Sequence, residues 1–263
     1  MILTVKRLFV FISDNPNIFT PIIGMIIGII LFMAGLKWFG YKRLIENIPT
    51  SKIRSIAMGL VEIFGKVVPV ENNLLLSPFS NAECVYYKYT IERWVKRGDK
   101  HHWKVVNSGK TSLPFKLNDT TGSVLIDPVG ANIDIKSTTF SSGAGNEPSI
   151  IIQNFLNAKN LNYEGLFGIN YRMRYRESII VTGESLYIIG SATDNPFKAD
   201  GTAQHSAEDI MIRRGKGKLY YISQKQEKSV IKTYLMKALG GIIVGSLIII
   251  ICFNILLKMF ESF

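Results

Sequence analysis

Two long apolar stretches frame the chain. IFTPIIGMIIGIILFMAGL, Ile18 to Leu36, and ALGGIIVGSLIIIICFNILL, Ala238 to Leu257, carry no charge, and Lys237 and Lys258 close the second. Each is close to the ~20 residues that span a hydrocarbon core, and neither has the polar face of a soluble surface helix. Trp38 and Tyr41 follow the first run and Tyr234 precedes the second, where amphipathic rings anchor at a membrane interface. The first run is too long for a signal-peptide core. Trp38, Phe39 and Tyr41 stand where a cleavage site would need small residues, so the run reads as an uncleaved anchor. The pattern predicts a tail (residues 1–17), a transmembrane helix (18–40), a domain (41–236), a second transmembrane helix (237–258) and a short tail (259–263).

Between the two runs the period changes to two. RSIAMGLVEIFGKVVPV alternates around Gly59 and Gly65, where a strand bends or bulges. CVYYKYTIERWV (84–95) alternates throughout, RGDK (97–100) signals a hairpin turn, and HHWKVVNSG returns. PFKLND and SVLIDP make a second hairpin through Thr120–Gly122, and YRMRYRESIIV, SLYIIGSA and KLYYIS read as further strands. Ser137 to Gly145 reads as a long exposed loop. Pro148 to Leu161, with Ile151, Ile152, Phe155 and Leu156 on one side, reads as a short amphipathic helix. The expected fold is an α+β membrane protein in which two transmembrane helices bracket one β-rich domain with a short helix. Its strands are expected to close into a five- or six-stranded barrel, which leaves few edges exposed.

Small residues fall on one face of each apolar helix: Gly24, Gly28 and Gly35 in the first, Ala238, Gly241, Gly245 and Cys252 in the second. In lipid, close backbone approach and van der Waals packing drive helix association. Two arrangements fit. One is an antiparallel hairpin within a chain, with Gly35 level with Gly241 and Gly24 near Cys252. The other is a homo-oligomer through the same faces. The glycines are also accounted for without either contact, since glycine is common in membrane helices.

The net charge is +11, most of it in the domain. Clusters stand at Arg93, Lys96, Arg97 and Lys100, and at Arg213, Arg214, Lys216 and Lys218. Beside two anchors the nearest polyanion is anionic lipid, to which each basic side chain contributes about 1 kcal/mol. Nucleic acid stacked on strand tyrosines such as Tyr86, Tyr87 and Tyr89 ranks below it, and a merely solvated basic face accounts for the clusters equally well. Lys and Arg are dense on the domain side of both helices, from Lys37 to Arg54 and from Lys218 to Lys237. Only Lys6, Arg7 and Lys258 stand on the other side. In a prokaryotic plasma membrane that bias places the domain on the cytoplasmic face.

Catalytic chemistry is sparse. Two cysteines exclude a disulfide scaffold, and Cys84, Cys252, His101, His102 and His205 contain no CxxC pair. Adjacent His101 and His102 point to opposite faces of a strand. GESLY (183–187) lacks the second glycine of a nucleophile elbow and sits in a turn context. Cys84 within a strand reads as a small buried hydrophobe. No catalytic residue, metal ligand or cofactor site is assigned.

PTSKIRSIAMGLVEIFGKV, LLLSPFSNAECVYYKYTIE with Trp94 and Trp103, PFKLNDTTGSVLIDPVGA and YRESIIVTGESLYIIGSA together resemble the GIDE (BAM, beside-a-membrane) domain family of the mitochondrial ubiquitin ligase MULAN (MAPL), over roughly residues 41 to 258. The resemblance implies the helix–domain–helix layout and a domain that binds partners or senses stress. In that family a RING finger with about eight zinc ligands follows the second helix. The five Cys and His here cannot supply that set, so no RING is expected within this sequence. The family orientation, with the domain in the intermembrane space, runs partly against the charge bias. The resulting expectation is a non-catalytic, membrane-anchored interaction or stress-sensing module with an unidentified protein partner. The alternative is a substrate-recognition component of a ligase-like or proteolytic system whose catalysis lies on another chain.

Overall fold

The computed structural model describes residues 19–48, 50–165, 168–196, 209–215, 219–225 and 227–261. The chain divides into a helical unit and a β unit, Ile48–Gln226. Helices α1 (Phe19–Asn47) and α3 (Glu227–Glu261) outrun the apolar stretches, against the limits 18–40 and 237–258 read from hydropathy. Their extra turns hold good helix formers, and Lys42 pairs with Glu46 one turn on at 2.8 Å. Apolar periodicity marks where lipid would begin, not where the helix ends. Ile18 and the tail 1–17 lie outside the described residues.

Burial in this unit follows one seam: Pro21, Gly28, Gly35 and Ile45 on α1, and Val230, Tyr234, Ala238, Gly241 and Gly245 on α3. Away from the seam the side chains are apolar and exposed, among them Ile23, Ile30, Met33, Leu247, Ile251 and Phe253. Both helices are long and apolar enough to cross a membrane. So much uncovered apolar surface suits lipid and not water.

The β unit holds a closed five-stranded barrel. β1 (Gly59–Pro69) pairs with β6 (Phe115–Asn118), β6 with β7 (Ser123–Ile126), and β7 with β12 (Ile210–Arg213). β12 pairs with β11 (Ser185–Asp194), which returns to β1. β11 also carries β13 (Tyr221–Ser223), which pairs with β8 (Asn132–Asp134). The interior is filled by inward-alternating residues, including Val61, Ile63, Val67, Phe115, Leu117, Ile126, Ile188 and Ile212. The inward position Gly65 carries no side chain for a physical reason. A Cβ there would lie 2.5 Å from the Asn118 carbonyl oxygen, where β6 crosses closest to β1.

A second sheet has the order β5 (Lys100–Ser112), β4 (Tyr86–Arg97), β10 (Met173–Ile180), β9 (Thr138–Ser142). Gly98 makes the β4–β5 turn with a φ of +60°, as the RGDK signal suggests. One face packs Tyr89, Ile91, Met173 and Tyr175 against Phe79 and helix α2 (Ile150–Ala158), through Ile152 and Leu156. Ser149 caps α2, its hydroxyl accepting from the Ile152 N–H.

The segment 137–145, expected as a loop, contains β9. Its residues 138–142 pair with β10, Phe140 joins the apolar face, and the buried Ser142 hydroxyl bonds the Tyr175 hydroxyl at 3.0 Å. A run of serine and threonine has no apolar period to betray a strand. Its partner β10 lies more than thirty residues on.

Candidate functional site

The sequence motifs that stand out most turn out to hold the fold. In SPFSN, between the short strands β2 (Leu75–Leu76) and β3 (Glu83–Cys84), the Ser77 and Ser80 hydroxyls lie 2.7 Å apart. The Phe79 N–H donates to the buried Glu177 carboxylate at 2.7 Å, and the Ser80 hydroxyl donates to its other oxygen. The Phe79 ring meets Tyr89, Phe155 and Tyr175 edge-on, with centroids 5.6–5.8 Å away. In DTTG, Asp119 accepts from the Thr121 N–H and hydroxyl, the Gly122 N–H and, across the chain, the Ile53 N–H at 2.9 Å. Burial raises the Asp119 pKa, and these bonds more than offset it, so the carboxyl is held below its usual range. These are turn-locking carboxylates.

The face of the second sheet opposite Met173 and Tyr175 carries different chemistry. Trp94 on β4 and Trp103 on β5 are cross-strand partners with centroids 5.0 Å apart. The Arg172 guanidinium lies 5.3 Å from the Trp94 centroid and 5.9 Å from that of Trp103. The Arg174 guanidinium lies 4.4 Å over Trp103, and His101 stacks parallel on Trp94 at 5.9 Å. Such cation–π contacts fix guanidinium planes while leaving their N–H groups free for other acceptors. Glu92, 6% exposed, accepts from Arg174 Nε at 2.6 Å and from Arg176 Nε at 3.1 Å, and Arg176 Nη2 bonds its second oxygen.

The Arg174 hydrogen bond, seconded by Arg176 and opposed by burial, holds the Glu92 carboxyl below the usual glutamate range. A depressed folded-state pKa contributes stability above the unfolded value of about 4.3. That contribution is lost as pH falls through the folded value. Glu92→Gln should therefore be less stable at neutral pH and should lose less stability between about pH 4.5 and pH 2 than the parent. Denaturant titrations across that range check this. Asp119, shifted the same way, keeps part of the slope in the variant.

The structure places the other sequence-selected residues as follows. Gly24, Gly28, Gly35, Gly241, Gly245 and Cys252 meet in the α1–α3 seam. A Cβ on Gly24 would lie 2.6 Å from Cys252 Sγ, one on Gly245 2.8 Å from the Gly28 oxygen, and one on Gly241 2.8 Å from Gly35 Cα. Lys96, Arg97 and Lys100 flank the β4–β5 turn, whereas Arg93 lies farther back on β4 opposite Lys104 and stacks over Tyr171 at 4.7 Å. Arg213 ends β12 and Arg214 follows it, both exposed, whereas Lys216 and Lys218 lie outside the described residues, as does His205. Cys84 is buried, and burial together with the Glu177 charge pushes its thiol up to about 11. Among the described residues no three His, Cys, Asp or Glu side chains lie close enough to hold a metal ion.

Sequence reasoning passed over Arg172, Arg174 and Glu92. Their only signal was an arginine at every second position of YRMRYR, which puts three cations on one strand face. The acid that meets two of them, Arg174 and Arg176, stands some eighty residues earlier.

Residues 86–253, more than half of the chain, match the family model named GIDE and described as E3 Ubiquitin ligase. No curated protein and no solved structure matches the chain.

Proposed function

The chain belongs to the GIDE family, described as E3 ubiquitin ligase, and on that premise we propose that it is a membrane-anchored recognition module in ubiquitin-ligase-related chemistry, with catalysis supplied by another chain. The observation that carries the reading is the contrast between the two kinds of charged residue in the domain. The buried Glu177 and half-buried Asp119 carboxylates are spent on turns, whereas the exposed chemistry is a cation–aromatic sheet face suited to binding. Two apolar helices tie that face to the bilayer. On this reading the basic turn at Arg93–Lys100 works beside anionic headgroups, on the cytoplasmic side that the Lys and Arg bias favours.

The test is a reconstitution. The full chain in lipid nanodiscs is incubated with ubiquitin, activating enzyme, a panel of conjugating enzymes and ATP. We expect no conjugates from the chain alone, and co-purification of a ligase component when the tagged chain is isolated from native membranes. Ubiquitin conjugates formed by the chain alone would overturn the division of labour. Native preparations free of any ubiquitin-related component would overturn the link to that chemistry.

A further inference from the structure

A pocket of about 460 Å³ opens against the cation–aromatic face, lined among others by Trp103, Arg172, Arg174, Ser141 of β9 and Asn170. Its donors are in surplus. Arg174 spends only its Nε–H on Glu92, leaving the four terminal N–H groups without an acceptor among the described residues. Exposed Arg172 has none for any of its five N–H groups, and its only partners there are the two indole rings. The side chains of Ser141, the direct β9 partner of Arg174, and of Asn170 are likewise uncommitted among the described residues. Glu92 neutralises one of the three arginines, so the pocket keeps a net positive charge.

We propose that this pocket binds a phosphate monoester, held by the Arg172 and Arg174 guanidinium forks with Ser141 and Asn170 as neutral donors. Two guanidinium groups and two neutral donors offer more N–H and O–H groups than the roughly four lone-pair sites of a carboxylate can use. Three terminal phosphate oxygens, carrying up to two charges, can use them. Trp94 and Trp103 hold Arg172 in place before the ligand arrives, so little side-chain entropy remains to be lost on binding. The ester could be a membrane headgroup or a soluble metabolite, since the chemistry is the same. The inference is independent of the recognition reading, because a conjugation assay would not respond to it.

The test uses the full chain in an uncharged detergent. Inorganic phosphate is titrated at constant ionic strength while tryptophan fluorescence is followed, since Trp94 and Trp103 both flank Arg172. We expect a saturable change with phosphate that chloride does not give. Arg172→Gln should weaken the apparent affinity about tenfold or more, as loss of charged hydrogen bonds does. Arg172 is exposed, so its variant should keep the parent melting temperature, and Asn170→Ala should weaken binding less. Nanodiscs carrying phosphatidic acid against nanodiscs carrying phosphatidylglycerol identify the source. Stronger Arg172-dependent binding to the monoester lipid than to free phosphate assigns a headgroup, and the reverse assigns a soluble ester. No saturable change with either probe, or an unchanged response in Arg172→Gln, would overturn the proposal. So would a hexaglutamate peptide that displaces phosphate at lower concentration, which would point to an acidic peptide instead.

Discussion

Gly65→Val should prevent the β unit from unfolding in a single cooperative transition, and Gly65→Ala should already cost about 1–3 kcal/mol. The reason is where the barrel closes. β1 pairs with β11 over Gly59–Lys66 and with β6 over Lys66–Pro69, so residue 65 stands where the second partner arrives. A Cβ at Gly65 would sit 2.5 Å from the Asn118 oxygen and 2.9 Å from its carbonyl carbon. Both atoms are backbone, in the register pair Lys66↔Asn118, so they cannot swing aside as a side chain would. Either β6 withdraws, breaking rungs with β1 and uncovering Phe115 and Leu117, or β1 bends outward and opens the interior. Gly143→Ala is the matched control. Its added carbon would meet nothing closer than 3.7 Å, and the variant should stay within about 0.5 kcal/mol of the parent. Denaturant unfolding of the full chain in detergent, followed by far-UV circular dichroism, separates the two. Equal stability of Gly65→Ala and Gly143→Ala would show that the closure can relax.

That glycine illustrates what the sequence could convey. Gly65 in an alternating run announces a bend, and the alternation of β1, β4, β10 and β11 follows from one face of each strand packing on an apolar core. The hairpins at Gly98 and at Thr120–Gly122 were legible because their turn residues are local. Strand β9 was not, because Ser and Thr carry no apolar period and its pairing partner supplies the order. The candidate site was the least legible part. SPF and DTTG drew attention because short-range turn chemistry has a recognisable spelling, yet their polar atoms are consumed within the fold. The free donors belong to Arg172 and Arg174, whose significance depends on Trp94, Trp103 and Glu92 arriving from other strands. Alternation can place three arginines on one face. It cannot say that the one acid will engage Arg174 and Arg176 and leave Arg172 without an acceptor among the described residues.

The helical seam should be the other position of large effect. Gly245→Leu or Gly241→Leu should force α1 and α3 apart, because the atoms nearest an added Cβ are backbone in both cases. At Gly245 they are Phe32 N at 2.7 Å and Gly28 O at 2.8 Å, and at Gly241 they are Gly35 Cα at 2.8 Å and Leu31 O at 2.9 Å. In water an overpacked pair is partly held by burial of its remaining apolar surface. In lipid the tails solvate that surface equally well, so nothing offsets the lost contact. Gly240→Ala separates helix propensity from packing, since its Cβ would meet nothing within 4 Å and alanine is the better helix former. That variant should match or exceed the parent in detergent melting, while the two leucine variants melt lower. Whether the seam closes within one chain is decided by sulfur chemistry. Cys84 is buried, so Cys252 is the thiol available to an engineered partner. With a Cβ at position 24 lying 2.6 Å from Cys252 Sγ, Gly24→Cys should form a disulfide on mild oxidation that runs as a monomer on a non-reducing gel. A crosslink found only between two chains would mean that the same small-residue faces join protomers instead.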